Sequence, residues 1–253
     1  YSSAASDVYK RQVLEGEVSM SLELSGIHFM MPTPFDDDGR IDEDSIVSLV
    51  DMAANAGCRG VVCLGVMGEA HRLTDAEREL VVQRVVDATK GRLSVTVGTT
   101  STGTEIAVQR SVQAQDMGCD TVMVAPPPIA KQNLEAVFKY YQDVSRKLQI
   151  PIVVQDYPLQ SGVFMPPSFI ARMHRELSQL RYLKLEDPPT PSKVTAVCQV
   201  AGDTLGVFGG LGGIFLLEEL RRGASRTMTG IAYPEILVEV YKHVSEGNLD
   251  DPT

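Results

Sequence analysis

The chain has 253 residues, enough for one large domain or two small ones, and 43% of them are hydrophobic, enough for a large core. Its formal net charge is −10 and no run of Lys/Arg is present, which excludes the basic stripe that a nucleic-acid partner requires. No apolar run approaches the ~18 residues of a membrane span, and no secretory signal is visible. We therefore expect a globular protein that binds neither nucleic acid nor membrane.

The four cysteines indicate a cytoplasmic protein without structural disulfides. They form no C-x-x-C pair, and most lie in apolar or small-residue surroundings: Cys58, Cys63, Cys119 and Cys198. Buried, reduced thiols are therefore favoured over disulfides or a metal site. His71 has no second histidine at ligand spacing, so no metal is expected.

Eight short apolar segments alternate with amphipathic ones along the chain. The short segments are nearly continuous Val, Ile, Leu and Met, which is typical of parallel strands buried on both faces. The predicted strands are 27–31, 60–64, 93–97, 121–125, 152–155, 182–185, 205–208 and 227–229. The predicted helices are 42–56, 75–89, 104–117, 134–148, 167–176, 192–200, 213–222 and 234–244.

Eight β-α units in a chain of this length predict a single-domain (β/α)8 TIM barrel, over residues 26–248. The alternative is a doubly wound open sheet, but no G-x-G-x-x-G follows a strand. Residues 1–12 (YSSAASDVYKRQ) have no core pattern and resemble translated adapter sequence, so we exclude them from the fold. We expect residues 249–253 to begin a C-terminal extension that is missing.

A barrel places its active site at the carboxyl ends of the strands, and one predicted strand carries a lysine. In the segment RYLKLED, alternation puts Lys184 on the inner face together with Tyr182 and Glu186. Enclosure by apolar walls disfavours the ammonium form, and a neutral amine can attack a ketone to form a Schiff base. The alternative is an ion pair with Glu186 or Asp187 at the barrel rim, and the spacing alone leaves both open.

Three motifs resemble the dihydrodipicolinate synthase / N-acetylneuraminate lyase superfamily of class I pyruvate aldolases and lyases, and they identify the chain as a divergent member. They are LGVMGEAHRLTDAER, PIVVQDYPLQSG and YLKLED, within a resemblance that runs from about residue 26 to 244. The resemblance implies that Lys184 forms the imine and that Met228 lies near bound pyruvate. It also implies that the turn after the second strand binds the substrate carboxylate, through Gly65, Val66, Met67, Gly68 and Glu69.

The sequence departs from this family at several site positions. Val66 and Met67 replace two hydroxyl residues that hold the carboxylate and relay a proton. Gln155 replaces the catalytic tyrosine, and Gln160 replaces an arginine that some members use for a second carboxylate. We therefore do not expect dihydrodipicolinate synthase activity.

Two neighbours of Gln155 offer a replacement for the proton shuttle. Tyr157 could share its face and act through its phenol, and Asp156 could act as a carboxylate whose pKa burial raises. Tyr157 could equally be a packed aromatic with a satisfied hydroxyl.

The sequence predicts a lysine-dependent lyase, aldolase or dehydratase that acts on pyruvate or a 2-keto-3-deoxy acid, without metal or organic cofactor. The resemblance implies a homodimer or homotetramer. One alternative is a non-catalytic 2-oxo-acid-binding protein on the same scaffold. Another is a sugar-phosphate enzyme that binds phosphate through the glycine-rich segment 209–213.

Overall fold

The computed structural model describes residues 24–230 and 233–247, and within them eight parallel strands close into a barrel. Strands pair in chain order, and the last strand pairs with the first. They are β1 (Gly26–Met30), β2 (Gly60–Cys63), β3 (Ser94–Gly98), β4 (Thr121–Val124), β5 (Ile152–Asp156), β6 (Leu180–Leu185), β7 (Gly206–Gly209) and β8 (Arg226–Thr229). The predicted (β/α)8 fold is confirmed.

Helices follow the strands as expected, with two local differences. In the described ranges they are α1 (Glu43–Asn55), α2 (Asp75–Thr89), α3 (Thr104–Asp116), α4 (Leu134–Ser145), α5 (Pro158–Ser161), α6 (Pro167–Glu176), α7 (Thr190–Ala201), α8 (Leu216–Leu220) and α9 (Pro234–Ser245). The one-turn α5 was not predicted. Helix α8 is shorter than its prediction, because Gly212 and Gly213 have φ of 69° and 78° and form a 3-10 turn instead.

The start of α2 is fixed by the predicted capping box. The Thr74 hydroxyl accepts a hydrogen bond from the Glu77 N–H at 3.3 Å, and the Glu77 carboxylate accepts one from the Thr74 N–H at 2.8 Å. This end of α2 lies beside the loop that follows β2, so the cap also positions part of the barrel mouth.

Alternating strand residues build two separate cores. The larger core fills the space between strands and helices, and a smaller one fills the barrel interior. The interior core consists of Leu24, Met30, Val62, Met123, Val153, Tyr182, Phe208 and Met228. Strand β6 continues beyond Tyr182 towards its carboxyl end. The next inward-facing residues, Lys184 and Glu186, therefore lie above the interior core, which forms the apolar floor of the barrel mouth.

Arg226 occupies the opposite end of the barrel interior. A Cβ at Gly206 would lie 1.9 Å from the Arg226 Nη1 atom, so glycine leaves the room that the guanidinium takes. The guanidinium stacks on Tyr182 and Phe208, with centroid distances of 5.1 and 5.5 Å. A cavity of about 610 Å³ opens there, near the amino-terminal ends of β6–β8 and away from Lys184.

Three of the four cysteines are buried free thiols, as predicted, whereas the free thiol of Cys198 is only partly buried. In the described part of the chain, no helix has the length and apolar character needed to cross a membrane. The predictions for residues 1–12 and 249–253 lie outside the described residues.

Candidate active site

Lys184 projects into the barrel mouth near the end of β6. Its side chain is only 4% exposed, and its Nζ atom lies 3.2 Å from the Glu186 Oε1 atom and 3.8 Å from the Met30 Sδ atom. The ion pair considered from the sequence is therefore formed. It does not compete with imine chemistry, because a carboxylate beside the amine can accept the proton that the amine must lose before it attacks.

Glu186 is held between the amine and an amide. The Gln155 Nε2 atom donates to the Glu186 Oε2 atom at 2.8 Å, and Gln155 stands beside Lys184 in the β5–β6 register. Both side chains are buried. A Cβ at Gly210 would lie 2.5 Å from the Glu186 Cγ atom, so this glycine leaves space for the carboxylate side chain.

The sequence interpretation treated Glu186 only as a counter-ion and missed it as a candidate acid–base group. The two-residue alternation after Lys184 was the signal that could have identified it.

The turn after β2 is anchored from two directions. The Thr33 hydroxyl donates to the Gly68 carbonyl at 2.7 Å. The buried Arg78 guanidinium donates to the carbonyls of Ala70 and Gly98, at 2.9 and 2.8 Å. Burial lowers the pKa of Arg78 to about 10, which still leaves it cationic at neutral pH. The turn is therefore a rigid part of the barrel mouth.

The same turn presents its backbone to the mouth. Val66 and Met67 are 38% and 37% exposed, whereas Gly65 is buried. In the described part of the chain, the N–H groups of Val66 and Met67 have no hydrogen-bond acceptor. Glu69 forms an ion pair with Arg72 at 3.1 Å, away from the lysine. This arrangement can bind a carboxylate through the main chain, without the missing hydroxyls.

A cavity of about 280 Å³ lies beside this turn and suits a small organic acid. Neutral polar groups supply much of its lining: Thr100, Ser101, Thr102, Gln155 and Gln160. His71 also lines it and is exposed. Arg110 reaches its wall but forms an ion pair with Asp75 at 2.7 Å. Gln160, which replaces an arginine that some members of the family use for a second carboxylate, thus lines this cavity.

Asp156 is placed differently from the expectation. It is fully buried on the face of β5 opposite Gln155, and its Oδ2 atom lies 2.6 Å from the Lys193 Nζ atom. Burial raises the pKa of Asp156 to about 6, although Lys193 acts in the other direction. The carboxyl thus pairs with a lysine of α7 behind the barrel wall. A proton-shuttle role for Asp156 stays a prediction that this geometry does not favour.

Tyr157 and Met228 occupy supporting positions. The half-buried Tyr157 precedes α5, and its carbonyl accepts from the N–H groups of Gln160 and Ser161 at 3.1 and 3.0 Å. Met228 is 1% exposed and belongs to the apolar floor together with Met30. The structure therefore brings together Lys184, Gln155 and Glu186, and the roles predicted for all the site residues stay predictions.

Comparison with known proteins agrees with the barrel fold. Residues 23–252 match the Dihydrodipicolinate synthetase family. An L-2-keto-3-deoxyarabonate dehydratase of Azospirillum brasilense is 34% identical over 230 residues, which are 89% of this chain and 74% of that protein. A 4-hydroxy-tetrahydrodipicolinate synthase of Methanococcus maripaludis is 31% identical over 174 residues, 69% of this chain and 60% of that protein.

A crystal structure of dihydrodipicolinate synthase from Rhodopseudomonas palustris superposes with a TM-score of 0.83 at 36% identity, covering 89% of this chain and 76% of that one. The family match spans the whole described barrel. The chain therefore belongs to the Dihydrodipicolinate synthetase family.

Proposed function

We propose that this protein is a Schiff-base dehydratase of a 2-keto-3-deoxy sugar acid. The observation that carries the proposal is the Glu186 carboxylate, 3.2 Å from the Lys184 amine and hydrogen-bonded by the Gln155 amide. A nucleophile, an acid–base group and an orienting group thus meet at the carboxyl ends of two neighbouring strands, where barrel enzymes place their chemistry.

The reaction begins when the Lys184 amine adds to the C2 carbonyl and water leaves. The resulting iminium withdraws electrons from the C3–H bond, and the Glu186 carboxylate removes that proton to give an enamine. The enamine then expels the C4 hydroxyl, which leaves as water with the proton from Glu186. Hydrolysis of the imine releases the product and restores the amine.

Gln155 orients Glu186 in this scheme and does not carry the proton. A carboxamide has no readily transferable proton at neutral pH, whereas a carboxyl can accept and return one. The change from tyrosine to Gln155 therefore fits the transfer of the shuttle role to Glu186. The non-catalytic alternative rested on the loss of a proton relay, and a shuttle role for Glu186 removes that reason. The named relatives are also enzymes.

The remaining groups support a hydroxylated substrate. The N–H groups of Val66 and Met67 are available for the C1 carboxylate. Hydroxyls and the Gln160 amide at the cavity wall suit a hydroxylated tail better than a second carboxylate. Similarity to a protein named as a dehydratase of L-2-keto-3-deoxyarabonate points to the same substrate class.

We also infer a cytoplasmic homodimer or homotetramer. Several large apolar side chains are strongly exposed in the single chain, among them Leu159 at 74% and Ile214 at 70%. Such surfaces are typical of contacts between copies. Light scattering coupled to gel filtration measures the assembly directly, and a monomer at micromolar concentration contradicts this part of the proposal.

Borohydride trapping tests the imine. The protein is incubated with pyruvate, reduced, and digested for peptide mass measurement. We expect an adduct on the Lys184 peptide that is absent in Lys184→Ala and retained in Lys139→Ala, which removes an exposed lysine. No adduct in the folded protein refutes the lysine chemistry.

Turnover of 2-keto-3-deoxy pentonic and hexonic acids tests the reaction type. Dehydration gives a product lighter than its substrate by one water, and this is the expected result. Release of pyruvate with an aldehyde instead makes the protein an aldolase and contradicts the dehydratase assignment.

A further inference from the structure

A further buried carboxyl, Glu219, lies outside the proposed reaction. It belongs to α8 and has no exposed surface. Its Oε1 atom accepts a hydrogen bond from the Thr190 hydroxyl at 2.5 Å. Its Oε2 atom has no hydrogen-bond partner among the described residues. A buried carboxyl with one unsatisfied oxygen costs stability, so its presence calls for a functional explanation.

Thr190 connects this carboxyl to the proposed active site. It is the first residue of α7 and is fully buried. Only Asp187, Pro188 and Pro189 separate it from Glu186. The hydrogen bond from Thr190 to Glu219 therefore holds one end of the short turn whose other end is Glu186.

Two adjacent glycines leave room for the carboxyls of Glu219 and Glu186 at the end of β7. A Cβ at Gly209 would lie 2.0 Å from the Glu219 Oε2 atom. A Cβ at Gly210 would lie 2.5 Å from the Glu186 Cγ atom. The end of β7 thus leaves space for one carboxyl on each of its faces.

The electrostatic surroundings of Glu219 make its charge sensitive to pH. Burial, with smaller contributions from the carboxylates of Glu218 and Glu186, raises the pKa of Glu219 to about 7, against the effect of the Thr190 hydroxyl. The groups facing it are thus Glu186 and Thr190 from the turn and α7, Glu218 from its own helix, and the Thr227 hydroxyl near Gly209 on the β8 side.

We propose that Glu219 is a positioning residue for Glu186. It acts through the hydrogen bond with Thr190 and through the space left at Gly209–Gly210. Glu186 is best aligned with the lysine while Glu219 is protonated. This inference rests on the proposed function, in which Glu186 moves the C3 proton. When Glu219 ionises, two carboxylates repel each other across the end of β7, and the turn that carries Glu186 moves away from the lysine.

Deuterium exchange into the methyl group of pyruvate, followed by NMR, reports proton transfer at C3 without knowledge of the natural substrate. We expect the exchange rate of the unmodified protein to fall as the pH rises through about 7, the pKa of Glu219. Glu219→Gln keeps the shape of the side chain but removes its charge, so this fall disappears. Glu105→Gln is the control, because Glu105 is exposed on α3 and does not contribute to the pKa of Glu219, and the profile of this variant stays that of the unmodified protein.

Thr190→Val and Thr190→Ser test the contact even if Glu219→Gln does not fold. Loss of the hydroxyl in Thr190→Val lowers the exchange rate roughly 10- to 100-fold by misplacing the base, and Thr190→Ser restores most of it. Borohydride trapping of pyruvate stays intact in both, since Lys184 is untouched.

An unchanged pH profile in Glu219→Gln, or an unchanged rate in Thr190→Val, overturns the inference. Failure of the unmodified protein to trap or exchange pyruvate overturns the proposed function and this inference together. Trapping and exchange in the unmodified protein, with no effect of these substitutions, overturn the positioning role alone.

Discussion

Replacement of Lys193 by methionine should destabilise the barrel in a strongly pH-dependent way. The Lys193 Nζ atom lies 2.6 Å from the Asp156 Oδ2 atom and 2.7 Å from the Asp187 Oδ2 atom. Asp156 has no exposed surface, whereas Asp187 is partly exposed. Methionine keeps the apolar stem of the lysine and removes the ammonium. The substitution therefore leaves Asp156 as a buried carboxylate without its cation.

The magnitude follows from the Asp156 carboxyl. Even with Lys193 present, burial raises its pKa from 3.8 to about 6, a difference of about 3 kcal/mol. A carboxyl whose pKa is raised on folding destabilises the protein fully above the folded pKa and does not do so below the unfolded value. Loss of Lys193 enlarges this destabilisation, so at about pH 8 we expect Lys193→Met to cost about 3–5 kcal/mol.

At about pH 5 Asp156 binds a proton in the variant, and the expected loss shrinks to about 1 kcal/mol. Urea unfolding followed by far-UV circular dichroism at both pH values measures the two losses. Lys139→Met removes a cation from a surface pair and should change the free energy of unfolding by less than about 1 kcal/mol at either pH. An equal loss at both pH values for Lys193→Met refutes the assignment of the effect to a buried Asp156 carboxylate.

Three further substitutions address the reaction, the barrel wall and a helix cap. Glu186→Gln should slow pyruvate deuterium exchange by about 10²–10⁴-fold while borohydride still traps an adduct on Lys184, and normal exchange would assign the base to another group. Gly98→Ala places a Cβ 2.0 Å from the Leu64 carbonyl oxygen. Thermal and urea unfolding should show a loss of about 1–3 kcal/mol, and full stability would contradict this close packing. Thr74→Ala removes the capping box of α2 and should cost about 1 kcal/mol in the same assay, whereas an unchanged midpoint would show that the cap contributes nothing.

The fold was predictable because each buried strand has a local signature. Continuous apolar runs separated by amphipathic segments specify strands and helices without knowledge of distant contacts. The prediction was wrong where backbone conformation dominates over hydrophobic pattern. The predicted helix over 213–222 begins later because Gly212 and Gly213 adopt positive φ, and α5 forms on a proline start that the pattern of apolar residues did not reveal.

The site was predictable only in part, because its decisive contacts join distant segments. Alternation placed Lys184 and Glu186 on the inner face, but the hydrogen bond from Gln155 to Glu186 joins residues 31 positions apart. Alternation also puts Asp156 on the face opposite Gln155, a consequence that the sequence interpretation did not apply. The partner of Asp156, Lys193, lies on a helix that follows the next strand, and no local pattern connects the two.

Arg78 has a consequence for how substrate reaches the lysine. Its single guanidinium ties the loop after β2, at Ala70, to the end of β3, at Gly98. These two parts of the rim must therefore move together, and opening one alone would strand a buried cation without its acceptors. We expect the entrance to widen on the other side of the rim, where Pro128 and Gln160 reach the cavity from the loop after β4 and from α5. The side of the barrel mouth at the turn after β2 would then stay fixed and bind the acid group of the substrate. The opposite side would move and admit the sugar chain.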